Sequence, residues 1–69
     1  MIKLSRLNDL EFVLNCDLIE TIEQTPDTIV SLSNGKKLLV KESVDEIVER
    51  VIQYKRRIFH DEADNMIAP

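Results

Sequence analysis

The spacing of apolar residues changes character once along the chain, and that change fixes the order of its elements. From Ile2 to about Lys41, apolar residues come in short clusters broken by turn-forming residues; from Ser43 onward they recur with a period near 3.6. Strands come first and one helix comes last. The pattern predicts strands at about 2–7, 11–15, 18–24, 28–33 and 36–41 and a helix at about 44–59. The fold class is therefore α+β: an antiparallel β-meander of four to five short strands, a small curled sheet or barrel-like, followed by one C-terminal α-helix. With 69 residues, the chain has room for a single domain, read as 1–60. Residues 61–69 lack a sustained period and carry Asp61, Glu62 and Asp64, so they are expected to form an acidic mobile tail.

The turns are written in the local chemistry. The alternation Ile2-Lys3-Leu4-Ser5-Arg6-Leu7 meets Asn8-Asp9, a pair that tolerates turn conformations, so the first two strands should form a hairpin. Pro26-Asp27 removes a backbone donor and separates the third strand from the fourth. Around Ser33-Asn34-Gly35-Lys36 the parity of the apolar residues selects the loop. A two-residue Asn34-Gly35 loop would set Val30 opposite Leu39 and scatter apolar side chains over both faces. A three-residue loop with Gly35 left-handed pairs Val30 with Leu38 and Thr28 with Val40, gathering Val30, Leu32, Leu38 and Val40 on one face. The three-residue loop is expected, leaving Ile29 and Leu39 on the outer face.

The helix start is marked by Ser43-Val44-Asp45-Glu46, the form of a capping box. Asp45, Glu46 and Glu49 near the amino end, and Lys55, Arg56 and Arg57 further along, suit the helix dipole, with Glu46 and Arg50 as an i,i+4 pair. Val44, Ile47, Val48, Val51, Ile52, Ile58 and Phe59 form an apolar stripe whose first partner is the sheet. Read by sevens, Val44, Ile47, Val51, Tyr54 and Ile58 fall on one seam, and Val48, Ile52 and Phe59 widen it.

The residue inventory argues against several kinds of chemistry. His60, the single His, sits at an expected helix end beside acids, with no nucleophile or second base assigned to it. Cys16 is 44 positions away from it, which offers no zinc spacing. The thiol has no local positive field, since its neighbour is Asp17, and it reads as a small buried or half-buried residue. The single Gly rules out a Gly-rich phosphate loop. No enzyme activity and no cofactor or metal is expected. Met1–Leu7 alternates instead of forming the apolar stretch of an export signal, and no run approaches the roughly 20 apolar residues of a membrane span, so a cytoplasmic protein without membrane insertion is expected.

Nucleic acid is a weaker candidate partner than protein. Thirteen acids against nine Lys and Arg give a net charge of −4, and Phe12, Tyr54 and Phe59 are the rings available for stacking. Lys36-Lys37 reads as solubilising charge on a hairpin tip, and Lys55-Arg56-Arg57 as helix-end charge. The apolar surplus is more informative. A helix stripe wider than one seam, together with Ile29 and Leu39 on the outer sheet face, points to association with a partner or with a second copy, a homo-oligomer.

One linear pattern carries a resemblance: Arg6-Leu7-Asn8, Phe12 with Asn15, Ile19 through Ile22, Thr25-Pro26-Asp27-Thr28, Leu32 with Asn34-Gly35-Lys36-Lys37, and Val40-Lys41-Glu42-Ser43-Val44. In order and spacing it closely resembles the small FlbD/SwrD family of bacterial flagellar and swarming-motility proteins, over about Met1 to Arg57. One departure is Asp9, which stands where the family is expected to carry Gly after the Asn. The resemblance implies a cytoplasmic, non-enzymatic accessory protein that supports swarming by raising flagellar power. An adaptor would meet its flagellar motor or stator-associated protein through Tyr54, Lys55, Arg56, Arg57 and Phe59, or through Ile29 and Leu39. The alternative is a small RNA- or DNA-binding regulator of motility genes.

Overall fold

The structure, a computed structural model, describes the backbone of residues 1–67 and the side chains of residues 1–58. Its elements follow the expected order: strands β1 (Ile2–Ser5), β2 (Glu11–Leu14), β3 (Ile19–Gln24), β4 (Thr28–Leu32) and β5 (Lys37–Val40), then one helix, α1 (Val44–Ile67). A single 3-10 turn, Cys16–Leu18, links β2 to β3. Its Asn15 cap accepts from the Asp17 amide at 3.1 Å, which explains why the third strand begins at Ile19.

All pairings are antiparallel. β1 pairs with β2, and β3, β4 and β5 form a second sheet in sequence order. A lone bridge between Arg6 and Val40 joins the two sheets, and the Lys41 amide donates to the Ser5 carbonyl at 2.9 Å beside it. Arg6 and Leu7 therefore leave the first strand early, because Arg6 bridges across to β5.

The β4–β5 register is the one apolar parity selects: Val30 faces Leu38 and Thr28 faces Val40. Gly35 is left-handed, at φ +87°. The Leu32 amide donates to the Lys36 carbonyl at 2.8 Å and the Gly35 amide to the Leu32 carbonyl at 3.0 Å. The first hairpin closes identically. The Arg6 amide donates to the Leu10 carbonyl and the Asp9 amide to the Arg6 carbonyl, both at 2.9 Å, with Asp9 at φ +70°.

β3 contains a bulge between Ile19 and Thr21. Regular alternation would send Ile19 and Ile22 to opposite faces; the extra residue sets Ile19 opposite Leu32 and Ile22 opposite Val30, so both turn inward. The core is Ile2, Leu4, Leu14, Cys16, Val30, Leu32, Val40 and Ile47, with Phe12, Ile19, Ile22, Leu38, Val51 and Tyr54 packed around it.

The capping box forms as the sequence indicates. The Glu46 amide donates to Ser43 Oγ at 3.1 Å, and the Ser43 amide to Glu46 Oε1 at 3.4 Å. The helix does not stop near Phe59. Its backbone continues to Ile67, because Asp61–Ile67 contains neither Gly nor Pro and the next breaker is Pro69. The acidic side chains expected in a mobile tail lie outside the described ones.

Candidate interaction surfaces

α1 crosses both sheets, and its inward row decides how much of the apolar stripe is consumed. Ile47 is fully buried, while Val51, Tyr54 and Ile58 are half-buried. One step round the helix, Val48 is 43% exposed and Ile52 38% exposed. The wide stripe thus splits: one row seals the core, and the next stands beside it uncovered.

A buried carboxylate fixes the helix to the first hairpin. Glu42, only 6% exposed, accepts from the Ser5 amide at 2.8 Å and from Arg50 at 3.1 Å. Arg50 also donates to the Lys3 carbonyl at 2.6 Å and lies 3.8 Å from Glu46. Burial pushes the Glu42 carboxyl up, but the bonds from Ser5 and Arg50 outweigh it and hold the group below the ordinary carboxylate value. Arg50 is thereby committed to structure.

β3 and α1 run antiparallel and are tied at two points, one at the end of β3 and one just before its start. The Val44 amide donates to Gln24 Oε1 at 3.2 Å, and Lys55 Nζ to Asp17 Oδ1 at 2.6 Å. The Lys55 ammonium lowers the Asp17 carboxyl, and Asp17 in turn raises the Lys55 ammonium, chiefly through this hydrogen bond. Between the ties opens a groove of about 240 Å³, lined by Cys16, Ile19, Ile22, Val48, Val51 and Ile52. β3 is an edge strand of its sheet.

The residues expected to meet a partner are distributed over separate surfaces. Lys55 is held by Asp17. Tyr54 packs against the core and shares a second groove with Lys3, Glu11, Arg50, Gln53 and Arg57. Arg56 is exposed. Ile29 is half-buried and faces Leu39 across β4–β5, where Leu39 is 47% exposed. The Phe59 side chain lies outside those described. Cys16 is buried. Among the described residues, no cluster of His, Cys, Asp and Glu could hold a metal ion, and no helix is long and apolar enough to cross a membrane.

A family model for FlbD, flagellar and swarming motility proteins, matches residues 1–59. The chain belongs to the FlbD family. No curated protein and no solved structure matches it. The FlbD match takes in all five strands and the part of α1 that carries both the sealing row and the Val48–Ile52 row. Two features of this FlbD chain escaped the sequence reading. The β3–α1 groove had a signal, since Ile19 and Ile22 stand three apart inside a strand, a spacing that reaches one face only through a bulge. Glu42 had none: an acid between Lys41 and Ser43 reads as surface until Arg50 is placed beside it.

Proposed function

We propose that the protein is a non-enzymatic adaptor of flagellar and swarming motility that supports motor power through contacts with a flagellar motor or stator-associated protein. Family membership supports the motility context. The observation that carries the adaptor role is the uncovered Val48–Ile52 row beside the apolar β3–α1 groove. Apolar surface of this kind, on a domain whose core is already sealed, is what a docking protein offers a partner.

The test separates motor power from gene regulation. Deleting the gene should lower the torque of individual tethered motors while flagellar number and flagellar transcripts stay unchanged. Normal torque with fewer flagella or altered transcripts would overturn the adaptor reading in favour of a nucleic-acid-binding regulator. Direct binding to RNA that weakens steeply with salt would point the same way.

A further inference from the structure

We propose that the β3–α1 groove receives an extended, basic segment of another polypeptide, added as a strand to the edge of β3 with alternate apolar side chains seated between β3 and α1. This inference rests on the adaptor reading and deepens it by naming the kind of chain the adaptor holds.

Three observations converge on the groove. β4 occupies one side of β3, and among the described residues no strand pairs with the other, so its outward amides and carbonyls are a template for one more strand. The bulge turns Ile19 and Ile22 to the inner face, where they meet Val48, Val51 and Ile52 across the groove. An added strand would place every second side chain against that apolar lining. Its volume of about 240 Å³ suits a few aliphatic side chains rather than a whole helix. The ties at Gln24–Val44 and Asp17–Lys55 hold strand and helix at fixed separation, so the site is formed before anything enters.

Charge decides what enters. Glu20 and Glu23 on β3 are both exposed, and Glu23, paired with Ile29, stands on the outer sheet face beside the open edge. Among the described residues on this side, Arg56 lies one turn beyond Ile52, and Lys55 is neutralised by Asp17. The site is therefore apolar on its inner face and acidic along the outer side of the β3 edge, complementary to a segment whose inward apolar residues alternate with outward Lys or Arg.

The experiment titrates the 15N-labelled full-length protein with the peptide Lys-Val-Lys-Val-Lys-Val-Lys, read by amide chemical shifts. Shifts are expected in residues 19–24 and 48–52. Affinity should fall at least tenfold when Glu replaces every Lys, when the peptide backbone is N-methylated so that it cannot donate to a strand edge, and in the Val48→Ser/Ile52→Ser variant. Leu39→Ser, on the outer sheet face, should bind unchanged. The proposal is overturned if millimolar peptide leaves residues 19–24 unmoved, if the N-methylated peptide binds equally well, or if those amides already report a dimer of the free protein. Motor torque reports on the adaptor reading separately. Torque lost on deletion, with an empty groove in the titration, would sink the groove and leave the adaptor standing.

Discussion

The two hairpins, β1–β2 and β4–β5, close with the same turn built on different residues and held by different means. In each, an Asn side chain accepts from the amide two positions on, Asn8 from Leu10 at 3.2 Å and Asn34 from Lys36 at 3.0 Å. In each, the next residue is left-handed, Asp9 in the first and Gly35 in the second. Asn followed by a residue that tolerates positive φ is enough to write the turn, and Gly is one way of satisfying it. Beyond the turns the hairpins diverge. β4–β5 rests on inward-facing pairs, Val30 against the half-buried Leu38 and the buried Thr28 against Val40. β1–β2 also has Ile2 against Leu14 and Leu4 against Phe12, with the Arg6 guanidinium 4.6 Å over the Phe12 ring. Its far edge, however, is fastened through polar groups, with Glu42 on the Ser5 amide and Asp9 paired with Lys41. One hairpin is secured mainly by burial, the other by burial and charge.

Removing Glu42 gives the largest effect expected from this contrast. Glu42→Ala leaves the half-buried Ser5 amide without its acceptor and Arg50 without its main carboxylate, and should cost about 2 kcal/mol in urea unfolding. Amide exchange should quicken first in β1, before β4 and β5. The pH dependence has a definite sign. Because the folded carboxyl titrates below its ordinary value of 4.5, its contribution is fully present above that pH and is lost as pH falls through the lower, folded value. Glu42→Gln, which keeps an acceptor but cannot titrate, should flatten this acid limb; an unchanged limb would mean that Glu42 does not govern it.

Gly35→Ala comes next, at about 1 kcal/mol, read as a lower urea midpoint. A Cβ at Gly35 would meet nothing within 4 Å, so the whole cost is that of the left-handed backbone. Gly35→Asp should cost less than Gly35→Ala, since the first hairpin already carries Asp in that conformation; the reverse ranking would break the equivalence of the two turns. The smallest effect is expected for Asp9→Gly. It relieves a positive φ but removes an exposed ion pair and loosens the unfolded chain, so stability should stay within about 0.5 kcal/mol.

What the sequence disclosed was whatever is encoded within a few residues. The second hairpin's loop followed from the parity of Val30, Leu32, Leu38 and Val40, and the helix start from Ser43 and Glu46, because in each case the partners are near neighbours. The bulge in β3, the 3-10 turn at Cys16–Leu18 and the Glu42–Arg50 contact depend on what other elements bring alongside. The same division explains the candidate surface. Val48 and Ile52 could be assigned to a widened stripe, but which row the sheet would cover depends on where α1 lies across β1 and β3. Lys55 reads as a solvated cation until Asp17, 38 positions away, is set beside it.

The seam that joins the two sheets has a consequence for how the chain is made. Arg6 meets Val40, Lys41 reaches back to Ser5, and Glu42 fastens Ser5 across 37 positions. A ribosome delivers β1 before β5, yet the groups that close on that strand's free side come from β5 and the start of α1, so β1 is locked only after they have emerged. Until then the first hairpin stands as an isolated two-stranded unit, marginal in water. Birth order and closing order run in opposite directions, and the molecule becomes one body only when its last strand returns to its first.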